Sequence, residues 1–293
     1  MASKQVKLPE EAWDSHVHVV DEENFPFHPD HPYRPQKASL TDLLQFTKSL
    51  HISHVCLVAM SVYKTDNRLL LSALQSLNGG GRGIACIEPS TITDTELQAM
   101  HSVGVRGVRL NLRSQRQTLS PSDFASVLHL YAQRLKPLDW VLQIYISLSQ
   151  LPLFASVIPD LGITVVIDHL GEPSPDTPAV SQEGYAEFMQ LLERKHVFTK
   201  LSGVYRFPNL PDLDRYVKDV LRVAPSQVVW ASDWPHSGGV GANPGGDRKR
   251  VQEYRKVDDA AFLARCIDWC EGDEGLVRAI WRENPRRLWR FDE

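Results

Sequence analysis

Eight short runs dominated by Val, Ile and Leu recur along the chain, with helical periodicity between most of them. The runs are AWDSHVHVV (12–20), HVCLVAMS (54–61), RGIACIEP (82–89), VRGVRLNL (105–112), WVLQIYIS (140–147), ITVVIDHL (163–170), VFTKLSGV (197–204) and QVVWASDW (227–234). Near-continuous apolar strands belong to sheets covered on both faces, which means parallel strands joined by crossover helices. The helix candidates are LTDLLQFTKSL, TDNRLLLSALQSL, TDTELQAMHSVG, PSDFASVLHLYAQRL, LPLFASVIPDLG, YAEFMQLLERK and LDRYVKDVLRVAP; DAAFLARCIDWCE and GLVRAIWRENPRRLW follow the last strand. Eight such units predict an α/β fold, a closed (β/α)8 TIM barrel with C-terminal helices packed on it. A nucleotide-binding doubly wound sheet is disfavoured. No G-x-G-x-x-G follows the first strand, and no G-x-x-x-x-G-K-[ST] occurs. The run NGGGRG (78–83) enters a strand and reads as a loop.

At 293 residues, without repeats or low-complexity linkers, one barrel domain over 1–293 is the simplest organisation. A net charge of -4 gives no reason to expect nucleic acid or an anionic membrane as partner. The basic stretch GDRKRVQEYRK is interleaved with acids and is read as a solvated helix face. There is no apolar signal region at the N-terminus and no apolar run long enough to span a bilayer. Cys56 and Cys86 lie in apolar runs, and Cys266 and Cys270 are spaced for one helix face, so four packed thiols and a cytoplasmic location are expected. The patch ENPRRLWRF reads either as a helix packed on the barrel or as the face of a homo-oligomer.

Polar residues gather where the runs end: Asp14, His16 and His18; Ser61; Arg109 and Asn111; Tyr145; Asp168 and His169; Lys200, Ser202 and Arg206; Asp233 and His236. Residues at i and i+2 of a strand share a face, so His16 and His18 can converge on one object. Packing alone does not explain so many ionisable groups at one end, because unpaired buried charge is costly. Barrel enzymes build their sites at that end, and the two long loops, 21–39 and 236–250, follow the first and last strands.

H-x-H on the first strand, IDHLG on the sixth and SDWPH on the eighth resemble the amidohydrolase superfamily, in its amidohydrolase-related family 2. FPFHPDHPYRP, TDNR, RGVRLN, IYI, VIDHLGEP, the Lys200 to Arg206 spacing and DWPH occur in an order similar to the 2-pyrone-4,6-dicarboxylate lactonases and their relatives. The resemblance implies a hydrolase for a small anionic lactone. It places Asp233 as general base, His16, His18 and His169 as donors to the carbonyl, and Arg109 and Arg206 on substrate carboxylates. Tyr33, Ser61, Thr65 and Tyr145 match further contact positions. A second family arginine falls at Gln115, flanked by Arg113 and Arg116, so either a neighbour substitutes or the substrate has one anionic group fewer. Lys200 is read as binding substrate or as neutralising Asp233. Asn67 and Arg68 serve the fold or the substrate, with Asp66 capping their helix. Asp14 supports the histidines.

Two readings of the H-x-H pair stay open. A catalytic zinc takes three protein ligands and an open position, and His16, His18 and Asp233, with His169, could supply them. Against this, Tyr145 stands where metal-dependent relatives have histidine, and Arg109 and Asn111 end the fourth strand. The lactonases that the chain resembles are regarded as metal-free, so the expectation is no cofactor, with one Zn2+ as the alternative. The competing functions are a muconolactone- or sugar-lactone hydrolase, a zinc-dependent decarboxylase of an aromatic or unsaturated acid, and a non-enzymatic binding module.

Overall fold

The computed structural model describes residues 7–111 and 120–292; Gln115, Arg113 and Arg116 lie outside them. All eight apolar runs form strands, each shorter than its run: β1 (Trp13–Val17), β2 (His54–Val58), β3 (Gly81–Ala85), β4 (Val105–Asn111), β5 (Val141–Tyr145), β6 (Val165–Ile167), β7 (Val197–Leu201) and β8 (Val228–Trp230). They pair in parallel and in chain order. The ring closes just beyond β8, where Asp233 N donates to His16 O at 3.0 Å and His18 N donates to Trp234 O at 2.9 Å. This is a (β/α)8 TIM barrel, and its seam runs through the H-x-H pair and the eighth-strand aspartate.

Two buried layers follow from strand alternation. One packs the barrel against α1 (Leu40–Ser49), α2 (Arg68–Ser76), α3 (Asp94–Val103), α4 (Pro121–Leu135), α5 (Tyr185–Glu193), α6 (Leu213–Val223) and α7 (Asp259–Trp269). The other gathers Trp13, Cys56, Ile84, Val141, Val166, Phe198 and Val229 with Leu288 and Trp289. At Gly107 on β4 an added Cβ would lie 2.5 Å from Val141 O, so the strand pair can close only on glycine. The C-terminal patch packs on the barrel, as Trp289 Nε1 donates to Ser15 Oγ at 3.2 Å and Arg82 Nη2 donates to Phe291 O at 3.0 Å. The segment reaches it as α8 (Glu274–Arg278), a π turn over Ala279–Glu283 and α9 (Asn284–Leu288) instead of one helix.

Several helix starts are fixed by side-chain caps. Ser39, Thr93 and Ser120 each form a capping box with the acid three residues on. Two expectations need correction. LPLFASVIPDLG forms 3-10 turns at Leu148–Leu153 and Ile158–Leu161 and no α-helix; Pro152 and Pro159 each remove a donor that an α-helix would use. The basic stretch GDRKRVQEYRK is not helical either. Val251–Gln252 runs parallel to Arg34–Pro35, and Arg248 Nη1 donates to Pro29 O and His31 O at 3.0 and 2.8 Å. The two long loops are thereby zipped together beyond the strand ends. Cys56, Cys266 and Cys270 are buried, Cys86 is half-buried, and all four are free thiols. Among the described residues no helix is long and apolar enough to cross a membrane.

Candidate active site

A cavity of about 420 Å3 opens at the C-terminal ends of the strands. His18, Tyr33, Ser61, Arg109, Asn111, Tyr145, Glu172, Arg206, Asp233 and Arg255 line it, with residues 237–241 at its edge. His16 and His169 are fully buried behind that wall. Thr65 is exposed and outside the lining. Asn67 serves the fold, since its Nδ2 donates to Cys86 O and its Oδ1 accepts from Cys86 N. Asp66 Oδ1 accepts from Arg68 N at 3.0 Å, next to the helix start predicted for it.

Lys200 differs from both sequence readings. It is completely buried, away from the cavity lining, and its partner is Asp168 instead of Asp233. Its Nζ reaches Gln143 Oε1 at 2.6 Å, His16 Nδ1 at 3.1 Å and Asp168 Oδ1 at 3.3 Å. An ammonium has three donors and no acceptor; Gln143 and His16 take two of them, and Asp168 supplies the opposite charge. Burial pulls the Lys200 pKa down while Asp168 holds it up. Burial would raise the Asp168 carboxyl, but the Lys200 charge outweighs it and keeps the acid well below the usual range. Gln143 Nε2 donates to Asp168 Oδ2 at 2.9 Å.

This buried network sets the imidazole protons. Burial and the Lys200 charge push His16 well below the ordinary histidine pKa, so it is neutral. His16 Nδ1 has Lys200 Nζ at 3.1 Å and Asp168 Oδ1 at 3.4 Å; with the nearer ammonium donating to it, the neutral ring carries its proton on Nε2, facing His18 Nε2 at 3.2 Å. His18 can accept there because its Nδ1 donates to Val58 O at 2.7 Å. The result is a directed chain from Lys200 through His16 to His18. Asp14 supports it from below: Oδ1 accepts from His16 N at 3.2 Å and from Ser232 N at 3.0 Å, tying β1 to the β8 end. Burial lifts the Asp14 pKa to about 7.

Asp233 stands over the two histidines. Its φ of 66° is left-handed, a conformation that aspartate tolerates better than most residues. The turn is held by His236 N on Asp233 O at 2.9 Å and Trp234 N on Ser232 Oγ at 2.9 Å. Asp233 Oδ2 accepts from Arg206 Nη2 at 2.6 Å and from the Tyr205 hydroxyl. Oδ1 is left facing His16 Nε2 and His18 Nε2, each at 3.7 Å. Burial would raise this carboxyl, yet Arg206 and the surrounding histidines hold it well below the carboxylate range. His169 Nε2 lies 3.9 Å from Oδ2, its Nδ1 is 2.8 Å from Ser202 Oγ, and burial drops its pKa to about 4. Gly203 makes room for that ring, since a Cβ there would meet it at 2.9 Å.

Around this centre, Arg206 Nη1 donates to the Tyr145 hydroxyl at 3.3 Å, and Arg109 Cζ lies 5.2 Å from the Tyr145 ring. Asn111 Nδ2 donates to Ser61 Oγ at 2.9 Å. His236, one of the strand-end residues, turns away to Asp259 at 2.9 Å.

The chemistry of the donor set can be tested against a metal. Nitrogens of His16 and His169 and a carboxylate oxygen of Asp233 lie within 4.8 Å of one another, so spacing alone admits an ion. The charges do not fit. A metal-bound histidine gives its outer N–H to an acceptor; the outer nitrogen of His16 has the Asp168 carboxylate at 3.4 Å, but the Lys200 ammonium is nearer, at 3.1 Å, and competes for it. Asp233, the carboxylate of that group, is already paired with Arg206.

The parallel barrel, the H-x-H pair at its seam and the aspartate after its last strand define an amidohydrolase-type barrel. The chain belongs to the amidohydrolase family, whose sequence profile matches residues 13–291. It is 33% identical over 246 residues, 79% of each chain, to a 2-pyrone-4,6-dicarboxylate hydrolase of Comamonas testosteroni. It is 26% identical over 288 residues to a 4-sulfomuconolactone hydrolase of Hydrogenophaga intermedia, covering 96% of this chain and 89% of that one. Among solved structures, a Pseudomonas putida protein described as a 2-pyrone-4,6-dicarboxylic acid hydrolase superposes with a TM-score of 0.77 at 26% identity, covering 98% of this chain and all of the other. The chain is thus an enzyme of the lactone-hydrolase type.

Sequence reading missed Tyr205, Gln143, Glu172 and Arg255. Gln143 had a signal, being a lone amide in an apolar strand two residues before Tyr145 and so on the same face. Tyr205 adjoins Arg206, but nothing in SGVYRF says that both reach one carboxylate.

Proposed function

We propose that the protein opens a carboxylated lactone, 2-pyrone-4,6-dicarboxylate-like, using water activated by Asp233 and no resident metal. The observation that carries this reading is the placement of Asp233. One carboxylate oxygen is tied to Arg206 and Tyr205, and the other is left over the His16–His18 pair at the base of an arginine-lined cavity.

Water held by Asp233 Oδ1 gives its proton to that carboxylate as its oxygen attacks the lactone carbonyl. The His16 Nε2–H, turned from His18 to the incoming carbonyl oxygen, polarises the carbonyl and stabilises the oxyanion, and His169 completes the imidazole cluster. The ring C–O bond then breaks, and the Asp233 carboxyl returns the proton to the departing oxygen. Asp233 is ionised at neutral pH, so nothing must be removed before it accepts a proton. Arg109 and Arg206 hold carboxylate, which suits their forked guanidinium groups; Tyr145, Tyr33 and Ser61 complete the wall.

The test is a panel of lactones with and without carboxylate groups, followed by proton release. Ring opening of carboxylated members supports the proposal, and a panel without turnover removes it. Metal content measured on the same protein bears on the second reading, which the spacing of His16, His169 and Asp233 favours. Stoichiometric zinc on which activity depends would replace the metal-free mechanism.

A further inference from the structure

The basic stretch that is not a helix brings one more guanidinium to the site. Arg255 lines the same cavity as Arg109 and Arg206. It is fastened to the turn that carries Asp233: its backbone N donates to His236 O at 3.1 Å, and Nη1 and Nη2 donate to Ser237 O and Gly238 O at 3.1 and 3.5 Å. Its Cζ lies 5.3 Å from the centroid of the Tyr205 ring, and Arg206 Cζ lies 5.3 Å from that same centroid. One aromatic ring therefore spaces two guanidinium groups, which can be no further apart than twice that distance.

The three arginines of the cavity are not equivalent. Arg109 faces Asp168 at 3.6 Å and Arg206 is paired with Asp233 at 2.6 Å. Among the described residues, no carboxylate lies within ion-pair distance of Arg255. Backbone carbonyls take only part of its donor set, and an arginine has five N–H groups in a fork suited to carboxylate. Its charge is thus available at the mouth of the cavity, within twice 5.3 Å of the Arg206 guanidinium.

We propose that Arg255 is a further anion anchor, which holds at the rim a second carboxylate of the lactone whose first lies on Arg206. The lactone part of this rests on the proposed function. The anchor also offers a substitute for the family arginine that falls at Gln115, supplied from a different loop.

The test is calorimetric binding of two stable ring acids, isophthalate with two carboxylates and benzoate with one, to the wild-type protein and to Arg255→Met. Wild type should prefer isophthalate by about tenfold or more, and Arg255→Met should reduce that preference to about threefold or less. Arg255→Gln serves instead if the methionine variant does not fold. Arg250→Met, on the same loop but outside the cavity lining, should keep the preference, which separates an anchor from general loss of positive charge. The proposal is overturned if wild type shows no preference or no binding, if the Arg255 variant keeps the preference, or if Arg250→Met loses it too. Proton release on the lactone panel judges the reaction separately. A protein with the preference but no lactone turnover keeps the anchor and loses the hydrolase reading.

Discussion

Arg206 Nη2 donates to Asp233 Oδ2 at 2.6 Å, so the proposed anion anchor is bonded to the proposed general base. A carboxylate arriving on Arg206 shares the guanidinium with Asp233. The loss of Arg206 is therefore expected to reach beyond binding. Arg206→Ala should raise KM and also lower kcat, with kcat/KM down by about a hundredfold or more. It should move the acid limb of the pH–kcat profile upward, because Arg206 is the main group holding the Asp233 carboxyl low. A variant with altered KM alone, and an unmoved acid limb, would separate the two residues. Asp233→Asn should nearly abolish turnover while substrate still binds, as read by single-turnover kinetics and calorimetry.

Tyr205 donates to the same carboxylate oxygen as Arg206 and leaves Oδ1 as the free acceptor over the histidines. A hydrogen bond to a charged group contributes about 1.5–3 kcal/mol, which corresponds to roughly ten- to a hundredfold in rate. Tyr205→Phe should lower kcat by that order with KM nearly constant, and steady-state kinetics on the best lactone of the panel measures it. Unchanged kcat would make the phenol a bystander.

Most of the barrel was legible because a parallel strand buried on both faces can be built only from a run such as HVCLVAM or ITVVI, and the crossover helices carry their own caps. Boundaries were less legible. Pro152 and Pro159 sit in a segment whose apolar spacing is helical, and local donor loss overrode the pattern. The members of the site were readable from strand ends, but their pairings were not. Lys200 and Asp233 are both ionisable residues at the end of a strand, and only the fold shows that Lys200 lies beneath the histidines with Asp168. Arg255 was read as part of a solvated face because Tyr205, the ring it lies over, is fifty residues away in sequence.

Lys200 is the buried cation whose removal should cost the most. It neutralises Asp168 and orients His16, and both partners are fully buried. Breaking a buried pair by deleting one partner costs about 3–5 kcal/mol. Lys200→Met should therefore lower the unfolding free energy by that order and abolish turnover, because His16 loses the donor that sets its tautomer. Urea denaturation checks the first part. A loss below about 1 kcal/mol would mean that Asp168 finds a proton or another cation at little cost.

Asp14 gives a pH dependence that is separable from that of Asp233. Its folded pKa, raised by burial to about 7, lies above the unfolded value. The folded state therefore holds a proton that the unfolded state releases, and the contribution to stability is greatest below the unfolded pKa. It is lost as pH rises towards about 7, on the order of a few kcal/mol in all. Asp168 has the opposite sign: its carboxyl is held low, and its contribution fades only as pH falls through that low value. Between these limits Asp14 acts alone of the two. Asp14→Asn keeps an oxygen for His16 N and Ser232 N but carries no charge. Its stability should be flatter than that of wild type across mildly acidic to neutral pH, and higher than wild type above neutrality. Urea unfolding at pH 5 and pH 8 for both proteins decides it: equal slopes would show that Asp14 is ionised in the fold at both values.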